Sequence, residues 1–151
     1  DIFPEIKKQK PEAALTIIGK NPPKDFFTLA SPFGDTIQIT GYVEDLTPYL
    51  ENSALMVVPV LAGGGMRVRI LEAFSRGIPV VTTSIGLEGI AAENSRDVIV
   101  EDDPIEFANA VVALLENPAE QRRLASNARD LVTTLYDWKA VLQELDKVYQ
   151  I

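Results

Sequence analysis

Hydrophobic positions in the first two thirds of the chain alternate between short β-branched runs and amphipathic stretches. Five runs rich in Ile and Val, each ended by Gly, Pro or polar residues, predict strands at Ala14–Gly19, Thr36–Thr40, Leu55–Val60, Pro79–Thr83 and Asp97–Val100. Continuous apolar stretches such as Leu55-Met56-Val57-Val58 are typical of strands that are buried on both faces. The pattern therefore predicts an α/β fold, in which helices cover a parallel sheet.

Helical signals dominate the last third. Asp103-Pro104-Ile105-Glu106 supplies an N-cap, a Pro at the first helical position and a Glu placed to close a capping box, and Asn117-Pro118-Ala119-Glu120 repeats this arrangement. Each of these segments predicts the start of a helix. A shorter helix is predicted at Glu44–Asn52, before the third strand.

A final helix is predicted from Trp138 to near the C-terminus. Its apolar positions form one stripe, which must pack on another surface: Trp138, Val141, Leu142, Leu145, Val148 and Tyr149. Between the first two strands, Asn21-Pro22-Pro23-Lys24 and Ala30-Ser31-Pro32-Phe33-Gly34 break the pattern, and no helix is predicted there.

The amino-acid composition limits the kinds of catalytic site and ligand that the chain can have. A chain of 151 residues with 46% hydrophobic content is enough for one globular domain with its own core. Fourteen Lys and Arg against 22 Asp and Glu give a net charge of −8, without the basic run that nucleic-acid binding needs. The absence of Cys and His excludes thiol catalysis, His-based triads and the usual zinc sites.

Membrane-spanning segments and signal peptides have recognisable sequence patterns. No apolar run approaches the roughly 20 residues that span a bilayer, and Asp1-Ile2-Phe3-Pro4 is not a signal peptide. We expect a cytoplasmic protein without a transmembrane segment. Because the first residue is not Met, we expect residues 1–151 to be a single, truncated domain of a longer protein.

The segment from Pro59 to Val81 predicts a strand, a turn of three glycines, a helix that ends at a glycine, and a second strand. Gly63-Gly64-Gly65 lies between the end of a strand and the start of a helix, where free backbone amides favour a phosphate. Ligands of open α/β sheets bind outside the carboxyl ends of the strands, which is where this turn is expected. A diphosphate suits such a turn.

Helical spacing after the turn places Arg69, Glu72 and Arg76 on one face. The carboxylate of Glu72 is then able to accept two hydrogen bonds from the hydroxyls of a ribose. A second interpretation stays open, in which the glycines only form a tight turn and Glu72 makes ordinary pairs with the two arginines on a solvated face.

The glycine turn and its flanks resemble the donor-site signature of retaining glycosyltransferases of the GT-B fold, in the glycosyl transferases group 1 family. The most specific match is Leu71-Glu72-Ala73-Phe74-Ser75-Arg76-Gly77-Ile78-Pro79-Val80-Val81, followed by the loop Gly86-Leu87-Glu88-Gly89-Ile90. Pro11–Gly19, Ile39–Val43 and Tyr136-Asp137-Trp138 also match, so the similarity covers nearly the whole chain. The resemblance implies a Rossmann-like, doubly wound parallel sheet that forms the C-terminal half of a GT-B fold.

The resemblance also implies roles for individual residues. Glu72 is expected to bind the ribose of the donor, and the turn Gly63, Gly64, Gly65, Met66 and Arg67 is expected to lie against the diphosphate and the sugar. Arg67 is the candidate phosphate contact, and Val43 is a candidate contact to the nucleobase. The usual signature has an earlier Glu eight positions before Glu72, where this chain has Gly64, so no residue is assigned to the catalytic step.

For the whole protein, the resemblance implies transfer of a hexose-type sugar from a UDP- or GDP-linked donor to an acceptor hydroxyl, with retention and without a metal or other cofactor. An N-terminal domain of the same chain would bind the acceptor, and the full-length protein would be cytoplasmic or peripheral to the inner face of the membrane. The family's first strand of this domain belongs before Asp1. Its absence from this chain predicts a gap, a re-paired sheet or an edge filled by another molecule, and an isolated chain that does not transfer sugar.

Three other functions are compatible with parts of this pattern. A nucleotide-sugar epimerase shares the two-domain architecture, although the Pro79-Val80-Val81 and closing Trp138 motifs favour transfer. A non-catalytic nucleotide-binding or regulatory module would explain Gly64. A dinucleotide-dependent dehydrogenase is disfavoured, because Gly63-Gly64-Gly65 does not follow the first strand of a βαβ unit and no Gly-x-Gly-x-x-Gly fingerprint occurs.

Overall fold

The computed structural model describes residues 1–138 and 142, and within them strands alternate with helices. The strands are β1 (Leu15–Ile18), β2 (Ile37–Gly41), β3 (Met56–Val58), β4 (Val80–Thr82) and β5 (Ile99–Val100). The helices are α1 (Ile2–Gln9), α2 (Lys24–Ala30), α3 (Thr47–Glu51), α4 (Val68–Ser75), α5 (Ser84–Leu87), α6 (Pro104–Glu116) and α7 (Pro118–Leu135). All five predicted strands are confirmed: β2 is shifted by one residue toward the C-terminus, and the other four are shorter than the apolar runs that predicted them.

The strands form two parallel sheets rather than one. β1 pairs with β2, and β3, β4 and β5 pair in that order. Within the described residues no strand pairing joins β1 to β3. The usual doubly wound order is 3-2-1-4-5-6, and removal of its strand 1 leaves these two groups. Of the three alternatives predicted for this position, a re-paired sheet is not seen among the described residues, and the other two stay predictions.

The β3–β4–β5 sheet is covered on both faces, which is the arrangement of a doubly wound fold. Successive side chains of a strand point to opposite faces. Val81 accordingly packs with Phe107 of α6 and Ile6 of α1, whereas Val80 packs with Phe74 of α4 and Ala128 of α7. The predicted α/β fold with parallel sheets and flanking helices is thus confirmed.

The starts of α6 and α7 lie where the sequence predicts them. The Asp103 carboxylate accepts hydrogen bonds from the amides of Ile105 and Glu106, at 2.8 and 3.1 Å, and the Asn117 side chain accepts one from the amide of Glu120 at 3.0 Å. The predicted capping box is not formed: the Glu106 carboxylate accepts a hydrogen bond from Asn109 instead. The single cap on each helix is enough, because Pro occupies the first helical position.

Four helical segments differ from the prediction, one of which is the unpredicted four-residue helix α5. The helix expected at Glu44–Asn52 begins only at Thr47. The segment between β1 and β2, where no helix was predicted, forms α2 and a 3₁₀ turn at Ser31–Thr36. None of the α2 residues is buried, so hydrophobic periodicity carried no signal. The prolines that suggested a loop lie at the starts of the two segments: Pro23 comes just before α2, and Pro32 is the second residue of the 3₁₀ turn.

The C-terminal prediction is tested only in part. α7 ends at Leu135, and the Tyr136 hydroxyl accepts a 2.8 Å hydrogen bond from the Ala91 amide. Trp138 is 78% exposed and Leu142 is 50% exposed. The remaining members of the predicted stripe, Val141, Leu145, Val148 and Tyr149, lie outside the described residues. Over the part of the chain that the structure covers, every helix is too short or too polar to cross a bilayer.

Candidate functional site

The predicted glycine turn leaves the carboxyl end of β3 and enters α4. Its residues are exposed from Leu61 to Met66, and Arg67 is half-buried. Gly63 and Gly65 have φ values of 119° and 89°, which disfavour residues with a Cβ. The glycines at these two positions are therefore required by the backbone and not only by the space around them.

Arg67 is folded back onto this turn. Its guanidinium donates hydrogen bonds to the carbonyl oxygens of Gly64 at 2.8 Å and Gly63 at 3.0 Å, and also to that of Gly65. The sequence predicts Arg67 as a phosphate contact, and that role stays a prediction. In the structure, this one side chain binds the carbonyl groups of three consecutive residues.

The backbone amides of the turn are free to bind a ligand. Those of Gly64, Gly65 and Met66 donate no hydrogen bond within the described part of the chain. The first helical amides are only partly satisfied, because α4 has no side-chain cap and the Val68 amide makes a 3.2 Å bond to the Met66 carbonyl. Exposed, unpaired amides at the start of a helix favour an anion through their partial positive charge.

Glu72 lies on α4 between two guanidinium groups. Its Oε2 is 2.5 Å from Arg69 Nη1 and its Oε1 is 3.5 Å from Arg76 Nη2. The predicted placement of these three side chains on one face is confirmed. These are the ion pairs expected if Glu72 only forms salt bridges on a solvated helix face. They also leave the ribose-binding role open, because a carboxylate with one contact at each oxygen can still accept hydrogen bonds from hydroxyl groups.

Arg76 links this helix face to the loop that follows β2. Its Nη1 donates a 3.4 Å hydrogen bond to Thr47 Oγ1, and the Thr47 amide donates a 2.8 Å hydrogen bond to Asp45 Oδ1. That amide is the main cause of a lowered Asp45 pKa, and the Thr47 side chain and the charge of Arg76 lower it further. Val43 is half-buried in the same loop, two residues before Asp45. No hydrogen bond in the described chain connects Val43 to the glycine turn.

Two buried threonines anchor the turn from the neighbouring strand, and the sequence-based prediction missed them. Thr82 Oγ1 donates to the Val58 carbonyl at 3.1 Å, and Thr83 Oγ1 donates to the Val60 carbonyl at 2.5 Å. Thr83 Oγ1 also accepts the Gly86 amide at 3.0 Å and so caps α5. Consecutive hydroxyl residues at the end of a buried strand are the signal that was available in the sequence.

The loop after β4 packs closely against this region. A Cβ placed on Gly86 would overlap Thr82 Oγ1 and lie 3.0 Å from the Val58 carbonyl oxygen. A Cβ on Gly89 would lie 3.5 Å from the Cβ of Met66, so the loop reaches the glycine turn itself. Both glycines belong to the motif Gly86-Leu87-Glu88-Gly89-Ile90: lack of space excludes a side chain at Gly86, and a φ of 80° disfavours one at Gly89.

Gly64 differs from the two glycines that flank it. Its φ lies outside the left-handed region, and a Cβ built on it has no atom within 4 Å. The backbone would therefore accept a side chain at this position. The absence of the signature Glu at residue 64 is not imposed by the local conformation.

Comparison with known proteins agrees with this geometry. The family described as Glycosyl transferases group 1 matches residues 1–117. The chain is 28% identical over 154 residues to a glycogen synthase of Mycobacterium tuberculosis, a match that covers 97% of this chain and 37% of that protein. Among solved structures, HepE of Anabaena in complex with UDP superposes with a TM-score of 0.86 at 17% identity, covering 99% of this chain and 44% of that one.

A third relative is a solved C-terminal domain of a group 1 glycosyl transferase, LpcC of Francisella tularensis. It superposes with a TM-score of 0.77 at 20% identity and covers 90% of this chain and 78% of that chain. The chain spans less than two fifths of the length of the glycogen synthase and less than half that of HepE. Since the family match covers most of the chain, this protein belongs to the glycosyl transferases group 1 family.

Proposed function

We propose that this chain is the donor-binding, C-terminal domain of a retaining glycosyltransferase that uses a UDP- or GDP-linked hexose. The observation that carries the proposal is the exposed turn at Gly63–Gly65, whose free amides lie at the start of the helix that bears Glu72. Membership of the family and the UDP complex of HepE support it.

The diphosphate of the donor is assigned to the glycine turn. The amides of Gly64, Gly65 and Met66 are unpaired and exposed, and the positive charge of Arg67 lies nearby, on the carbonyl side of the same peptide groups. A nucleoside diphosphate gains negative charge as its bond to the sugar breaks. Preorganised amides and a nearby cation stabilise that charge in the transition state without a metal ion.

The nucleoside of the donor is assigned to Glu72 on α4 and to the loop after β2. Glu72 would accept hydrogen bonds from the ribose hydroxyls, held in place by Arg69 and Arg76. Val43, in the loop after β2, would contact the base. The hydrogen bond from Arg76 to Thr47 connects the ribose position to that loop and keeps the two parts of the nucleoside site in a fixed relation.

In the proposed reaction the bond between the anomeric carbon and the diphosphate oxygen breaks, the oxygen of the acceptor hydroxyl bonds to the same face of that carbon, and the hydroxyl proton passes to the departing diphosphate. The acceptor site is assigned to the part of the relatives that this chain does not cover, as an N-terminal domain of the same polypeptide. We therefore expect residues 1–151 alone to bind the donor without transferring its sugar.

The test is a calorimetric titration of the intact protein with UDP and with GDP, beside its Glu72→Ala variant. We expect the variant to lose about 1–3 kcal/mol of binding free energy, the usual contribution of hydrogen bonds to a charged group. Glu120→Ala is the matched control, because it removes a similar pair with Arg123 on α7, remote from the glycine turn in sequence.

The experiment distinguishes a loss of nucleotide affinity from a loss of folding stability. Surface ion pairs contribute about 0–1 kcal/mol, so both variants should unfold within about 1 kcal/mol of the wild type. Equal nucleotide affinity in the wild type and Glu72→Ala would exclude Glu72 as the ribose ligand. Failure of the wild type to bind any nucleotide would instead favour a non-catalytic module, which the Gly at position 64 also fits.

A further inference from the structure

The contacts of Arg67 determine which way the peptide groups of the turn face. Its guanidinium binds the carbonyl oxygens of Gly63, Gly64 and Gly65. In a planar trans peptide the C=O and the following N–H point in opposite directions. The amides of Gly64, Gly65 and Met66 must then point away from the guanidinium, and these are the amides without a partner in the described chain.

We propose that Arg67 is a positioning residue, which holds the three carbonyls of the turn so that their amides form the diphosphate site. The proposal rests on the donor-binding function above and deepens it, because the anion would be bound by backbone groups that Arg67 orients. Successive amides arranged around a concavity are a known anion-binding device, and positive-φ glycines such as Gly63 and Gly65 permit it.

The shape of the side chain explains why Arg occupies this position. A guanidinium is planar and carries five donors in a rigid fork, whereas a Lys ammonium is a compact point charge. Three carbonyls from consecutive residues suit the fork. If Arg67 were instead a direct phosphate ligand, a Lys would preserve most of the interaction, because Lys also binds phosphate well as a point charge.

The experiment compares Arg67→Lys and Arg67→Ala in the intact protein. We expect both variants to bind UDP about tenfold more weakly than the wild type, which corresponds to about 1.4 kcal/mol. Arg122→Lys and Arg122→Ala, on an exposed part of α7, are the matched controls and should bind UDP as the wild type does. Melting temperatures should not change, since the turn is exposed and adds little to the core.

A second readout needs no ligand. With ¹⁵N-labelled glycine, the amide resonances of Gly64 and Gly65 report the local environment of these two peptide groups. We expect these resonances to move in Arg67→Lys and Arg67→Ala, while the resonance of Gly19, which is remote in sequence, stays in place.

The outcomes are distinct. UDP affinity that is preserved in Arg67→Lys but lost in Arg67→Ala would identify a direct phosphate ligand and overturn the proposal. Unchanged glycine resonances in both variants would overturn it regardless of binding. Shifted resonances in a protein whose wild type does not bind UDP would support the orienting role of Arg67 and would count against the proposed function alone.

Discussion

The hydroxyl of Thr83 donates a 2.5 Å hydrogen bond to the backbone carbonyl of Val60. Val60 is the last half-buried residue before the exposed turn, and Thr83 is buried at the end of the adjacent strand. The same hydroxyl accepts the Gly86 amide and so caps α5. One side chain thus holds the exit of β3, from which the glycine turn begins.

We predict that Thr83→Val destabilises the protein by about 1–3 kcal/mol, because it leaves the Gly86 amide and the Val60 carbonyl without their partner. Urea unfolding measures the change. Thr133→Val is the control: that hydroxyl bonds the Arg129 carbonyl on the exposed side of α7, and its loss should change stability by less than about 0.5 kcal/mol. Equal effects of the two variants would contradict the anchoring role of Thr83.

Gly86→Ala should destabilise the protein by about 1–3 kcal/mol, because the new methyl group would overlap Thr82 Oγ1 and approach the Val58 carbonyl. The same substitution at Gly19 tests the reasoning. That glycine is exposed, its φ lies outside the left-handed region, and a Cβ there has no neighbour within 4 Å. Gly19→Ala should be neutral or stabilise by up to about 1 kcal/mol. Thermal unfolding of both variants checks the difference, and a stable Gly86→Ala protein would refute the packing argument.

Within the glycine turn, Gly65→Ala should weaken UDP binding about tenfold, because an Ala at φ 89° is strained and the turn is free to rearrange. Gly64→Ala should bind UDP nearly as well as the wild type, since neither φ nor contacts oppose a side chain there. Calorimetric titration of the intact protein measures both. The reverse order of effects would show that the turn acts in another conformation.

Asp45 should make the protein sensitive to acid. The Thr47 amide, as the main cause, holds the pKa of this carboxyl below its ordinary value of about 3.9. A depressed folded pKa gives stability that is complete above the unfolded value and is lost as pH falls through the folded value. An NMR titration should find the Asp45 midpoint below the ordinary one, and Asp45→Asn should reduce the loss of stability in this range. A midpoint at or above the ordinary value would contradict the prediction.

Much of the fold was accessible to prediction because its signals are local. The buried strands have runs of β-branched residues, and Asp103 and Asn117 cap helices through amides two or three residues away. The helix face of Glu72 follows from spacing alone. α2 escaped prediction because its residues are exposed and carry no periodic pattern, and α5 is only four residues long.

The candidate site was predicted less completely. The turn, Arg67 and Glu72 were found from the order of residues, whereas Thr83 lies 23 residues from the carbonyl that it holds. The orientation of Arg67 toward carbonyls was also not predictable, because it depends on the left-handed conformation of Gly63 and Gly65. The relation between the Val43 loop and Glu72 depends in turn on the contact of Arg76 with Thr47.

The order of residues alone was enough to predict most helices and strands, the family to which the motifs point and the position of the glycine turn, because these features depend on neighbouring residues. Three features became visible only in the folded chain: the division of the strands into two sheets, the anchoring of the end of β3 by Thr82 and Thr83, and the contact of Arg67 with the carbonyls of the turn. Hydrogen bonds between distant segments depend on how strands and helices pack, and that packing is a property of the whole chain.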